Sequence, residues 1–470
     1  MARYRVLNLG GINTKVQPLL TKDGELTRCL NLATDQIGAK RKRPGYVAFR
    51  DTADGSAVNS LFSWEKEDGT TRYIYRASGA GLYYSDLNGT ANWAVCGNGT
   101  ITAGNHVGQA VLGDTMVVGD GAGSTRHSTN GTSFTDTTLA PVGEHLAVSS
   151  DRRVFICGTD SQLYWSVTND ATNWNTTGTS DSSSLRIPGA GKLNGVFNAA
   201  SLITMTKASG LMHKWDGYSL DTVPTNLAYT SPYSVKQLEG YHIGLNRQGF
   251  FGYGGDRPEI LSNPIEHQIY NDSGSAVAGT SFNSAPGGVY RKNYYCAVGT
   301  TTDDTTEQTV NNCVEVYNFQ LDEWYNYQFA NFPTAFHTYK DSNGVEQFVF
   351  GDGSGQVYTL SGTATSDNGA AIECALEGFL HLGIPDQNKR WQKLWAFANP
   401  GCKAQIQVAA SDTFQKDTLN WIDIGDLSSG VTECAIGQSG RFLFYRLHES
   451  STDARFQFFG FAADVSAVGR

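Results

Sequence analysis

Short apolar and aromatic runs, each closed by Gly, Asn, Asp or Ser, recur along most of the chain. Examples are "RYIYRAS" (72–78), "GLYYSD" (81–86), "TMVVGD" (115–120), "RRVFICG" (152–158), "QLYWSV" (162–167), "YHIGLN" (241–246), "GFFGYGG" (249–255), "NYYCAVG" (293–299), "CVEVYNF" (313–319) and "EQFVFGDG" (346–353). Runs of this length, rich in β-branched and aromatic residues and bounded by turn formers, predict strands joined by hairpins. Helical periodicity is confined to "NPIEHQIYN" (263–271), where Pro264 suits a first helical position and Ile265 and Ile269 share one face. With no helical segments of 10 to 15 residues between the strands, βαβ units are excluded and the chain is expected to be all-β.

The strand pattern repeats. "LYYSDLNGTANW" (82–93) and "LYWSVTNDATNW" (163–174) share Leu-Tyr-aromatic-Ser, a polar turn and Asn-Trp at the same offset, and "TRHSTNGTSF" (125–134) follows the same plan with Phe134 in the Trp place. Anchors at 83, 126, 164, 212, 250, 316 and 357 are spaced by 43, 38, 48, 38, 66 and 41 residues. Five of these gaps match the roughly 40 to 50 residues of a propeller blade. The spacing predicts a β-propeller over residues 46–365 with six to eight blades, seven fitting best, and it argues against a string of sandwiches. The long gap implies an insertion, at "DSGSAVAGTSFNSAPGG" (272–288) or at "TTDDTTEQTVNN" (301–312).

Past Leu360 the texture changes. "SGTATSDNGAA" (361–371) reads as a polar linker, and the strands that follow are longer, with alternation in "CKAQIQVAAS" (402–411) and "RFLFYRLHES" (441–450) suited to a sheet with one wet face. These features predict a β-sandwich over 366–470, preceded by the propeller and by an extended arm over 1–45.

Composition supports the β reading, with Gly 53, Tyr 22, Phe 23 and Trp 9 against Met 4 in 470 residues. The net charge of −10 argues against coating a polyanion through the bulk surface, so any nucleic-acid contact is expected to be local. No apolar run approaches a membrane span and "MARYRVLNLGG" lacks a signal-peptide core, so assembly in a cytoplasm is expected, with no membrane anchor. Eight scattered cysteines without a C-x-x-C pair predict buried free thiols. Three Asn-Gly-Thr sequons, at Asn88, Asn98 and Asn130, read as hairpin turns.

Catalytic patterns are missing. "GAGKLNG" (189–195) lacks the P-loop's leading Gly and has Leu193 where a magnesium-binding Ser or Thr belongs. Nine histidines form no H-E-x-x-H, so no metal and no cofactor is expected. The Ser-turn-Asn-Trp hairpins are similar to the Asp-box turns of sialidases, which are structural in those enzymes. A glycosidase would need two placed carboxylates, and Asp303, Asp304, Glu315, Asp322 and Glu323 are unpaired candidates at this level. A receptor- or glycan-binding propeller is the alternative to a purely structural role, through exposed aromatic rims.

One basic run stands out, Lys40, Arg41, Lys42 and Arg43, followed by Pro44 and Gly45. Its charge admits a targeting signal, a phosphate grip or a subunit contact.

The segment 8–46 resembles the N-terminal arm of bacteriophage tail nozzle proteins, also called packaged-DNA stabilisation proteins. The resemblance rests on Gly10-Gly11, Asn13, Gly24-Glu25, Cys29, Asn31, Asp35, Gly38 and the run into Arg43-Pro44-Gly45. The C-terminal part is similar to the sandwich module that ends such proteins, with Lys389, Arg390 and Trp391 at a strand entry and Ser411-Asp412 with Trp421. The resemblance implies a non-enzymatic virion protein of the tail or neck, a component of the head-to-tail connector that forms a hexameric ring below the portal adaptor. Such a ring would retain packaged double-stranded DNA, open for ejection and contact distal tail proteins such as a needle, spike or fibre. On this reading the 1–45 arm docks with the C-terminal module, Lys40, Arg41, Lys42 and Arg43 contact a neighbouring subunit, the adaptor or DNA, and Pro44-Gly45 is the hinge from arm to propeller.

Overall fold

The computed structural model describes residues 2–467 apart from 16–19, 36–37, 51–52, 178–179, 200–201, 226, 272–273, 276–282, 304–307, 415–417, 428–429 and 453–455. The chain is all-β, and its middle is a β-propeller. Five successive four-stranded antiparallel sheets follow one another in up-and-down order, opening with Val58–Glu65, Gly108–Leu112, His145–Val148, Leu193–Ala199 and Ser231–Leu238. A further four-stranded run, from Gly287–Tyr290 to Glu323–Gln328, continues into a wider sheet. The last sheet, Ala335–Lys340, Glu346–Gly351 and Val357–Leu360, takes its fourth strand, Tyr46–Ala48, from the N-terminal side. Val58–Glu65 packs against both Gly108–Leu112 and Ala335–Lys340, which closes the ring and leaves the opening strands around a common axis.

All seven sequence anchors fall on the third strand of such a run. The Ser-turn-aromatic repeat is the hairpin from third to fourth strand. Ser85 Oγ donates to Ala91 O at 2.8 Å, Ser128 Oγ accepts from the Gly131 amide at 2.9 Å, and Phe134 and Trp174 are buried behind their turns. Of the three Asn-Gly-Thr sequons, the one at Asn98 departs from expectation. It lies within the strand Ala94–Thr100, where Asn98 adopts φ 52° beside a register shift rather than closing a hairpin.

The long anchor gap holds the expected helical segment, a 3-10 turn Asn263–Ile265 running into a single turn Glu266–Ile269, and the eleven-residue strands Asn293–Asp303 and Gln308–Asn318. Most of 272–288 and the tip at 304–307 lie outside the described residues.

The arm is more than extended: its strands are built into two sheets. Leu26–Leu30 lies between propeller strand Glu323–Gln328, in parallel, and Cys374–Leu380, antiparallel, so a nine-stranded sheet runs from the propeller into the C-terminal part. Ala2–Leu7 and Lys40–Lys42 both pair with Gln457–Ala467 in the second sheet, beside Lys389–Ala398 and Val431–Gly440. Leu30, Trp324, Leu376, Trp391, Leu394, Tyr445 and Phe461 belong to one core that spans arm, propeller and C-terminal part.

Two expectations are corrected. The strand Phe442–Glu449 does not have one wet face. Leu443, Tyr445 and Leu447 enter the main core, while Phe442 and Phe444 are covered on the other side by Phe379, Phe414, Leu419 and Trp421. The polar stretch 361–371 is not a free linker either, because its backbone is tied to the arm: the Gly45 amide donates to Ala364 O at 2.9 Å and the Asn368 amide to Tyr46 O at 2.8 Å.

Candidate functional site

Strand alternation decides where the basic run points. Lys40 and Lys42 project from one face of Lys40–Lys42 and are buried, whereas Arg41 between them is exposed. Lys40 Nζ donates to Thr34 Oγ1 at 2.6 Å and to Glu323 Oε2 at 3.3 Å, above the Tyr325 ring. Lys42 Nζ donates to Glu449 Oε2 at 3.0 Å and to Ser451 O at 2.9 Å. The Arg43 guanidinium grips Asp367 with two bonds of 2.8 and 2.6 Å, donates to Asn31 Oδ1 and Gln328 O, and stacks on Phe329.

The assignment of these four residues to an outside contact is therefore overturned for three of them. The side chains of Lys40, Lys42 and Arg43 are 0%, 6% and 1% exposed, and their charges are met by Glu323, Glu449 and Asp367 of the same chain. Each pair ties the arm to a different region: the propeller strand Glu323–Gln328, the C-terminal strand Phe442–Glu449 and the 361–371 stretch. Arg41 remains available to a partner.

Pro44-Gly45 is not a hinge. Gly45 is clamped by the Ala364 and Ser361 backbone, and a Cβ there would sit 2.1 Å from Ser366 O.

The C-terminal signature residues are structural as well. Lys389 is 1% exposed and its ammonium donates to three carbonyls, Ile384 O, Gln387 O and Arg441 O, at 2.6 to 3.0 Å. Desolvation lowers its pKa, offset by Asp23 and Asp386. Trp391 is fully buried and bonds Gly440 O through Nε1, Arg390 is exposed on the opposite face, and Trp421 carries the Arg446 guanidinium at 4.2 Å.

The described candidate carboxylates are each engaged by a different partner. Glu315 is 0% exposed and accepts from Asn326 Nδ2, Glu323 holds Lys40, and Asp322 accepts the Tyr317 hydroxyl. The Asp303 side chain and Asp304 lie outside the described residues. All eight thiols are buried and unbridged, and desolvation pushes Cys29 up to about 11 and Cys96 to about 12. Among the described residues no group of three or more His, Cys, Asp or Glu is arranged to hold a metal, and no helix is long and apolar enough to cross a membrane.

The feature that sequence reasoning missed is the propeller axis. A cavity of about 460 Å³ there is lined by polar side chains from most of the opening strands, including Gln109, Asn198 and Lys236 and four of the nine histidines, His106, His145, His242 and His337. Tyr233 stacks on His106 with ring centroids 3.6 Å apart and lies 5.6 Å from His145, whose Nε2 is 3.3 Å from Glu144 Oε1. Glu144, His145 and Tyr233 also line two adjoining cavities, so this group stands where the three spaces meet. Burial lowers three of these imidazoles, His106 and His242 to about 4 and His337 to about 3. The lining residues sit in different blades at no recognisable spacing, so nothing local in the sequence marks them.

No protein-family model matches the chain, and no curated protein matches it. Among solved structures it is similar to YCF48 from Cyanidioschyzon merolae, with 9% identity over 67% of this chain and 98% of that one and a TM-score of 0.42. It is similar to BBS1N in complex with ARL6DN, with 10% identity over 68% and 99% and a TM-score of 0.45. The WD40 β-propeller domain of Doa1 matches with 11% identity over 68% and 97% and a TM-score of 0.31.

Proposed function

We propose that the chain is a tail nozzle subunit, a structural virion protein made of a seven-bladed propeller and a two-sheet sandwich platform. In this reading it acts without catalysis, assembles as a six-fold ring below the portal adaptor, continues the DNA channel and holds the packaged genome until ejection. One observation carries the proposal. The two segments that resemble nozzle proteins lie at opposite ends of the sequence, yet they fold into one module, with Leu26–Leu30 and Lys40–Lys42 pairing directly with Cys374–Leu380 and Gln457–Ala467. A shared module built from both ends explains why the resemblance is strongest there, since each end requires the other's side chains.

The net charge of −10 is compatible with DNA sliding past, because a strongly basic lumen would retain phosphates through counterion release. Arg41 is the residue of the basic run left for the adaptor, a neighbouring subunit or DNA. The test is a phage deleted for this protein. Its particles should package DNA and then lose it, and images of complete particles should show six copies below the portal. Normal DNA retention by the deleted particles overturns the proposal.

A further inference from the structure

We propose that the axial cavity of the propeller binds a small doubly charged oxyanion, held by Lys236 with His106 and His337 beside it. The three groups come from separate parts of the ring. Lys236 is on Ser231–Leu238, His106 precedes Gly108–Leu112, and His337 is on Ala335–Lys340; all three line the same cavity of about 460 Å³.

The Lys236 ammonium has no ion-pair or hydrogen-bond partner among the described residues, although it lies within electrostatic reach of both imidazoles. The carboxylate lining the cavity, Glu144, is already engaged by His145 and by the Tyr233 hydroxyl. One further lining nitrogen, His242 Nδ1, is buried without a hydrogen-bond partner. A cation placed in a restricted space without a counter-charge is costly. An oxyanion supplies the missing charge and gives the Lys236 ammonium an acceptor; His106, bonded to the Asn59 backbone, and His337, whose Nε2 is 2.8 Å from Ser63 Oγ, would each donate to it through the second ring nitrogen once protonated.

This placement has a pH consequence. Burial, the Lys236 charge at His106 and His337, and the His145 charge at His106 lower the pKa values of His106, His242 and His337, while Glu144 and a hydrogen bond to the Asn59 backbone oppose this at His106. An anion seated among them favours the imidazolium form, so binding takes up protons and strengthens as pH falls. His145 and Tyr233 face the same space but are occupied with Glu144.

The site is independent of the nozzle reading. Its test is calorimetric titration of the full chain with sodium sulfate, whose charge is constant between about pH 5 and about pH 8, at fixed ionic strength set by chloride. Saturable binding is expected, about twofold tighter at the lower pH, since an imidazole near 4 that is raised by one unit becomes half protonated at about pH 5. Lys236→Gln should weaken it about tenfold or more, the loss expected for a charged hydrogen bond, while Lys403→Gln, on the exposed surface, should leave it unchanged. In the unmodified chain, sulfate should also raise the NMR titration midpoints of two histidines, a readout that does not depend on a variant folding. Absence of saturable heat, unchanged affinity in Lys236→Gln, or unmoved histidine midpoints each overturns the proposal.

Discussion

Arg43 sits where removing one side chain leaves the largest uncompensated charge. Its bidentate partner Asp367 is 3% exposed, and the guanidinium also satisfies Asn31 and the Gln328 carbonyl. Arg43→Met should therefore cost about 3–5 kcal/mol in urea unfolding, because the carboxylate stays buried without its counter-charge. Arg41→Ala, two residues away in the strand and exposed, should change stability by less than about 0.5 kcal/mol. The contrast explains why the run was misread as an outward patch. Four adjacent basic residues look like surface, and the acids that neutralise three of them lie at 323, 367 and 449, hundreds of residues away. The buried histidines give a second prediction at this scale. His337 is held near 3 and His106 and His242 near 4 against an ordinary value of 6.5, so the unfolded chain binds more protons than the folded one between those limits. Stability should be full above about pH 6.5 and fall progressively as pH drops towards 4. His337→Asn should flatten the slope of unfolding free energy against pH, and an unchanged slope would show that this imidazole is protonated in the fold.

Hairpins were the most legible elements. Their turn residues, Ser and Asx closures and aromatic backstops are local, so the third strand of each sheet could be located from the repeat alone. Arm strands were illegible for the opposite reason. Leu26–Leu30 and Lys40–Lys42 are short, carry no alternation that stands out, and acquire their strand conformation from partners near 377 and 458. The Pro44-Gly45 step shows how such a junction misleads. A Pro-Gly pair reads as a flexible break, but Gly45 is there because the Ser366 carbonyl passes within 2.1 Å of where its Cβ would be. Gly45→Ala should consequently destabilise the protein by about 3 kcal/mol through overpacking. The same substitution should make the chain cleavable near residue 45 in limited proteolysis, where the unmodified junction resists. A protein that tolerates Gly45→Ala without loss of stability would restore the hinge.

Cohesion across the whole molecule is uneven, and the core clusters say where. The first two sheets pack through their own group, including Phe62, Trp64, Tyr75, Met116 and Phe134, and the next sheets have similar local clusters. One much larger core instead joins the arm, the sheet that ends at Glu323–Gln328 and both C-terminal sheets. Trp324 lies inside it, fully buried, with Nε1 donating to Leu261 O and its ring against Phe250 and Tyr317. The propeller was legible as a repeat because its contacts run between neighbours in sequence, whereas this core joins residues from 9 to 465 and leaves no period to read. Removing Trp324 should thus act at a distance. Trp324→Ala should cost about 3–5 kcal/mol, and in hydrogen exchange it should lower protection in Leu26–Leu30 and Cys374–Leu380 together, since those strands continue the sheet that carries it. Trp64→Ala, of similar size and burial, should loosen the first two sheets and leave those strands protected. If Trp324→Ala affected the propeller alone, the arm and C-terminal sheets would form a separate cooperative unit, and the continuous nine-stranded sheet would not be what binds the two halves of the molecule.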